Sequence, residues 1–382
     1  MVKDRVVYLD NSSTTRVCPQ AAEKVLQMMT EQYGNPSSLH TMGFEAEREM
    51  TSARAALASQ LGVKPAEITF TSGGTEANNI AIFGAANARR HEGRRIVTTA
   101  VEHPSVLNVM RQLEKDGWEV VFLKPDFEGR ILPEQVFEAV TPDTALVSMM
   151  LVNNEVGTIL PVEAAAAAIA RSKSRALLHV DAVQAFGKIP VKPAKLKADL
   201  ITISAHKIHG PKGVGALYQA GGVHIQPRTF GGGQEKSLRP GTEATPLIAG
   251  FGEAVRALPD LDGELARMRE LNAFCREGLL RLPGVKINSP EDALPYILNL
   301  STCSVRSETM LHFLAAKNIF VSAGSACSKS KPSHVLAAMG LPPERVQTSL
   351  RLSFSRETRE EEIALFLDAL QEGLNTIAKK PL

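Results

Sequence analysis

Five short apolar runs each end in side chains able to bind an anion, carry a proton or attack a carbonyl. Ile68 to Thr71 is followed by Ser72-Gly73-Gly74-Thr75, Ile96 to Val101 by Glu102-His103, and Ala145 to Val152 by Asn153-Asn154-Glu155. Leu177 to Val180 is followed by Asp181 and Gln184, and Leu200 to Ile203 by Ser204-Ala205-His206-Lys207. Ligands of open parallel sheets bind beyond the carboxyl ends of the strands, so these five ends should meet on one rim. One such residue is ordinarily a loop residue or a helix cap; five in succession point to a site. The Ser-Gly-Gly-Thr segment opens a helix, and its glycines allow backbone N–H groups to surround an anion. Ser72 and Thr75 as plain helix caps are the simpler alternative. The segment lacks the Lys-Ser or Lys-Thr of a P-loop and the spacing of a dinucleotide fingerprint, which favours a phosphate-bearing cofactor other than a nucleotide.

Lys207 follows His206 at the end of a nearly all-apolar run, where a partly desolvated amine can attack a carbonyl to form a Schiff base. A lone lysine there is more often an ordinary loop residue, but Asp181 shifts the balance. A carboxylate closing an apolar strand needs a cationic partner, and a protonated pyridine nitrogen is one, as in pyridoxal phosphate sites. Cys327 lies in Gly324-Ser325-Ala326-Cys327-Ser328, a stretch of small residues followed by Lys329 and Lys331. Nearby cations favour the nucleophilic thiolate. Cys18, Cys275 and Cys303 lie in or beside regular patterns and read as inert core thiols.

The elements that must position these groups follow from the hydrophobic pattern. From about residue 66 to 220 short apolar runs alternate with amphipathic stretches, the pattern of βα units feeding a mostly parallel sheet. Strands are expected at Ile68 to Thr71, Arg95 to Ala100, Val120 to Leu123, Ala145 to Val152, Ala176 to Val180, Leu200 to Ile203 and Gly213 to Tyr218. Helices are expected over Thr75 to His91, Pro104 to Asp116 and Val162 to Ser172. Two more, Pro19 to Gln32 and Phe44 to Leu61, flank a turn-rich segment containing GNPSS. Pro246 to Leu282 reads as mostly helical with a break near Pro259, and Leu294 to Ala378 as a mixture of strands and helices.

A chain of 382 residues predicts two lobes. Hydrophobic residues at 44% and charged residues at 22% are ordinary globular values. With 43 Lys and Arg against 41 Asp and Glu, and no block of like charge, neither a nucleic-acid nor an anionic-membrane partner is expected. The N-terminus lacks the apolar core of a signal peptide, and the longest apolar runs fall well short of the ~20 residues that span a bilayer. The four cysteines contain no CxxC pair, so no metal site or disulfide framework is expected, and a reducing cytoplasm fits.

The motifs YLDNSST, GNPSS, FTSGGTEANN, VEHPSV, VNNEVG, HVDAVQ, SAHKIHGPKGVGALY, GGGQE with RPGT, GSACS and RLSFSR resemble those of the cysteine desulfurases, in the class V aminotransferase group of pyridoxal phosphate enzymes. The resemblance covers nearly the whole chain. It implies an α/β, fold-type-I architecture. A mostly parallel seven-stranded sheet would lie between helices in a large cofactor-binding domain, residues 15–258, beside a smaller α+β domain, 1–14 plus 259–382, that carries the cysteine loop. It further implies Lys207 as the Schiff-base lysine, Asp181 on the pyridine nitrogen, Gln184 and Asn154 near the phenolic oxygen, and His103 stacked on the ring. Gly74, Thr75, Ser204 and His206 would cradle the phosphate, and Thr242 would reach the phosphate of a partner subunit in a homodimer. Arg351, with Asn35 nearby, would hold the substrate carboxylate, and Cys327 would take sulfur from L-cysteine, leaving L-alanine. The persulfide would serve a sulfur acceptor or iron–sulfur scaffold protein. Selenocysteine lyase and class V aminotransferase activities are the rival enzymes, and a non-catalytic sulfur carrier a more distant one. The chain departs from the family pattern at Gly74, where many relatives have alanine, and in the loop after Cys327, shorter by about two residues than in long-loop members.

Overall fold

A computed structural model describes residues 6–324 and 332–377. Cys327 and its immediate neighbours lie outside the described residues.

The seven expected strands form one sheet: β1 (Ile68–Thr71), β2 (Arg95–Thr99), β3 (Glu119–Leu123), β4 (Thr144–Met150), β5 (Leu177–Asp181), β6 (Leu200–Ser204) and β7 (Gly215–Gln219). Their order is β1-β7-β6-β5-β4-β2-β3, and only β7 runs antiparallel to its neighbours. β4, β5 and β6 are buried at every position, as expected for central strands covered by helices on both faces. One cover is α1 (Gly74–Ala88), whose Ala77, Ala81 and Ala85 bring it close to the sheet. Another is α2 (Pro104–Lys115), which presents Val106, Val109, Met110 and Leu113 to the same cluster. Gly73, the N-cap of α1, has φ +150°, a backbone conformation that side chains resist, so a glycine makes this turn.

Beyond residue 258 the chain continues through helix Leu261–Leu280 into a three-stranded antiparallel sheet of β8 (Lys286–Ile287), β9 (Ile297–Ser301) and β10 (Ser349–Ser353). The N-terminal residues Val7–Tyr8 pair in parallel with Ile319–Phe320. Asp10 bridges Ser353, and Ser322 bridges Arg351. The first strand therefore lies against the C-terminal part of the chain, and the segment Asn11 to Thr15 passes directly from there to the rim of the large sheet. No helix among the described residues is long and apolar enough to cross a membrane.

Candidate active site

The carboxyl ends of β1, β4, β5 and β6 and the loop after β2 surround a cavity of about 210 Å³. Gly74, Thr75, His103, Asn154, Asp181, Gln184, Ser204, His206, Lys207 and Arg351 all line it, ten residues singled out by sequence. Four strand-end residues with polar side chains do not. Ser72 is exposed; Asn153 and Glu155 are buried in the turn after β4 and Glu102 beneath the rim. Asn153 holds that turn together, its Oδ1 accepting from the backbone N–H of Glu155 and Val156 at 2.9 and 3.0 Å.

Lys207 ends a single 3₁₀ turn after β6, and its Nζ donates to the carbonyls of Ser12 and, at 2.7 Å, Ser13. The Ser12 carbonyl also accepts from Gln184 Nε2 at 3.0 Å. Asp181 closes β5 with 5% exposure; its Oδ1 accepts from the backbone N–H of Val183 at 3.0 Å and its Oδ2 from Asn78 Nδ2 at 2.8 Å. Asn78 sits one helical turn beyond Thr75 on α1 and reaches Ser105 Oγ as well, at 2.9 Å. The carboxylate is therefore aimed and held on two sides.

His103 is the N-cap of α2. Its Nδ1 accepts from the backbone N–H of Ser105 at 3.1 Å and lies 2.7 Å from Ser105 Oγ. A nitrogen accepting a backbone N–H carries no proton, so the ring is the neutral Nε2–H tautomer. Burial lowers its pKa, with the Lys207 and His334 charges adding to that and Asp181 opposing it. His206 is held to about 3 by burial and then by the Lys207, Lys212 and Lys188 charges, so it meets any anion as a neutral hydrogen-bond donor. Arg351 is 1% exposed; its Nη1 donates to the Asn154 carbonyl at 2.8 Å and its Nη2 to Asp10 Oδ1 at 2.9 Å and Ser13 Oγ at 2.7 Å.

Buried polar atoms seldom lack partners. Five that do, Ser12 Oγ, Asn78 Oδ1, Asn154 Oδ1, Ser204 Oγ and Arg351 Nε, belong to residues of this one lining. The first turn of α1 adds N–H groups with no acceptor inside the helix, at the positive end of its dipole. A carboxylate, an amine and an anion cradle around a cavity short of polar partners suit a pyridine ring bearing a phosphate and an aldehyde. Pyridoxal phosphate fits the donor set.

Asn35 and Thr242 are exposed and outside the cavity lining; Asn35 Oδ1 accepts from Ser37 N at 2.9 Å. Cys18 and Cys275 are buried, and burial pushes the Cys275 thiol up to about 12. Cys303 is half-buried, with its pKa also raised by burial. Three residues of the site had no role assigned from sequence. Asn78 and Ser105 support Asp181 and His103, and Ser12 supplies the carbonyl beneath Lys207. The signal for Asn78 was its spacing of three from Thr75, which puts both on one helix face.

The sheet order, the lysine after β6 and the aspartate closing β5 define a fold-type-I pyridoxal phosphate enzyme. Comparison with known proteins narrows this: the aminotransferase class-V family matches residues 7–366, and the chain belongs to that family, whose members depend on pyridoxal phosphate. The chain is similar to cysteine desulfurase IscS of Methanosarcina thermophila, 40% identical over 97% of this chain and 92% of that one. A solved NifS-like protein superposes with a TM-score of 0.92 at 39% identity, covering 98% of this chain and all of the other. A structure of SspA in complex with cysteine gives a TM-score of 0.81 at 34% identity over 91% and 98% of the two chains.

Proposed function

We propose that the protein is a cysteine desulfurase that converts L-cysteine to L-alanine, takes the sulfur as a persulfide on Cys327 and passes it to an acceptor protein. The exchange balances without an outside oxidant: L-cysteine and the Cys327 thiol give L-alanine and the Cys327 persulfide. The observation that carries the reading is the meeting of Lys207, Asp181 and Arg351 around one polar-deficient cavity, in a chain whose relatives over nearly its full length bear this activity in their names. The SspA structure was solved with cysteine itself.

Pyridoxal phosphate, when bound, supplies the electron-withdrawing ring that makes the substrate α-carbon acidic. Asp181 keeps a positive charge on the ring nitrogen. Thr75, Ser204, His206 and the first-turn N–H groups of α1 would hold the phosphate, and Asn154 and Gln184 would contact the ring. Lys207 would anchor the cofactor and, as a free amine, would carry the proton at the substrate α-carbon. Neutral His103, with Nδ1 held by Ser105, would offer its Nε2–H as a donor near the same atom. Arg351, whose Nε alone of its nitrogens has no partner among the described residues, would take the substrate carboxylate. Exposed Thr242 is left to serve the cofactor of a second copy. The same reading divides the chain into a cofactor lobe, residues 15–258, and a lobe of 1–14 plus 259–382 that carries Cys327.

The test is product analysis with L-cysteine. The protein as purified should be yellow and release alanine without keto acid, and Lys207→Ala should lose both the colour and the turnover. Pyruvate coupled to a second amino acid would instead mark a transaminase, and a colourless, inactive wild type a sulfur carrier.

A further inference from the structure

Behind Gln184 lies a lysine with no role in the chemistry above. Lys188 is 7% exposed and sits four residues beyond Gln184 in the helical turn after β5. A lysine that deep is costly unless it is paired. Its Nζ donates to Gln184 Oε1 at 3.2 Å and lies 5.7 Å from the centre of the Tyr296 ring. Burial, with the Arg351 charge adding to it, pushes its pKa down to about 7.

The contact orients the amide of Gln184. With Oε1 on the lysine, Nε2 turns to the carbonyl of Ser12, the same carbonyl that accepts from Lys207 Nζ. A continuous path of hydrogen bonds therefore runs from Lys188 through the Gln184 side chain and the Ser12 carbonyl to the reactive amine. We infer that Lys188 is a positioning residue that acts through Gln184 on Lys207, fixing the amide and holding the Lys207 amine toward its neutral form. The inference rests on the assignment of Lys207 as the lysine that captures the cofactor.

Two effects act in the same direction. A second cation nearby disfavours the charge on Lys207, and a fixed amide competes for the carbonyl that would otherwise stabilise its ammonium form. The other charged or titratable groups around Lys188 are Arg351 on β10, His206 and His209 after β6, Glu264 on the helix Leu261–Leu280, Tyr296 and Arg356. Burial keeps both histidines neutral near pH 7, at about 3 and about 4. The balance of this cluster is therefore positive, and Lys188 is its member that titrates near neutrality.

The experiment measures the rate at which the full chain, stripped of cofactor, captures added pyridoxal phosphate as a function of pH, read by the growing visible absorbance, with thermal midpoints alongside. Lys188→Met should move the midpoint of the capture rate upward by about half a pH unit or more, a roughly threefold slowing at neutral pH. Lys188→Arg keeps a donor and a permanent charge, and a cavity of about 30 Å³ beside the lysine gives room for the larger head group. This variant should leave the midpoint at or below that of the wild type. If Lys188→Met does not fold, Lys188→Gln, neutral at every pH, takes its place with the same expected direction. A capture midpoint unchanged in either neutral variant overturns the inference, even if thermal stability falls, because a purely structural role moves stability alone. Capture with normal absorbance by Lys207→Ala would instead refute the assignment of the lysine itself.

Discussion

Glu102 is a carboxyl group buried directly beneath the site, and it makes stability depend on pH in a way that can be worked out. It is fully buried; its Oε1 accepts from Thr99 Oγ1 at 2.8 Å and from the backbone N–H of Met150 at 2.9 Å, while Oε2 has no partner among the described residues. Burial first, and then the Asp181 charge, raises its pKa from 4.5 to about 8. A carboxyl whose pKa is higher folded than unfolded binds more protons in the native state between those two values. Its contribution to stability is full below about pH 4.5 and is lost as pH rises to about 8. At about 1.4 kcal/mol per unit the ceiling is on the order of 5 kcal/mol, and relaxation and water entry around a buried charge reduce this to about 2–3 kcal/mol. Glu102→Gln replaces the protonated acid by a neutral isostere that keeps Oε1 on its two donors. With an unfolding entropy of about 2.1 cal/mol/K per residue, 382 residues give roughly 0.8 kcal/mol/K. The wild type should therefore lose about 3 °C of thermal midpoint relative to Glu102→Gln between pH 5 and pH 8.5. Scanning both proteins across that range, with cofactor bound, is the assay. Two curves that stay parallel within about 1 °C would refute the claim that Glu102 is protonated in the folded protein.

Two further outcomes follow from the packing and from the support of Asp181. A Cβ on Gly74 would come within 2.9 Å of Val183 Cγ2, so Gly74→Ala should destabilise by about 1–2 kcal/mol; adding Val183→Ala should recover most of that, and additive losses in the double variant would contradict the clash. Asn78→Leu removes a charge-assisted bond to Asp181 and should weaken pyridoxal phosphate retention by about tenfold or more, measured as cofactor loss on dilution; unchanged retention would show that Asn78 does not support the carboxylate.

The seven strands and most of the site were legible because a buried parallel strand is a continuous apolar run, and the chemistry sits on the residue that ends it. Asp181 and Lys207 are such residues, and both line the cavity. What periodicity could not convey was direction in space. β7 reads as one more apolar run, yet it returns antiparallel between β1 and β6. Glu102 and Glu155 follow their strands just as His103 and Asn154 do, but point into the protein, where Glu155 Oε2 accepts from Ser333 Oγ at 2.5 Å. The long-range partners were silent for a related reason. Nothing local in YLDNSST says that the carbonyl of Ser12 will lie under an amine 195 positions later, or that Asp10 will pair with Arg351, 341 positions away.

The central claim, that Cys327 accepts the sulfur of L-cysteine, is tested most directly by mass spectrometry of peptides from the wild type and from Cys327→Ala after brief exposure to L-cysteine, with released alanine measured in the same samples. The account predicts one added sulfur on the Cys327 peptide of the wild type, with alanine formed. The variant should keep its visible absorbance and its spectral response to L-cysteine but yield neither persulfide nor appreciable alanine. Wild-type rates of alanine release from Cys327→Ala, or a persulfide on Cys18, Cys275 or Cys303 in place of Cys327, would contradict it.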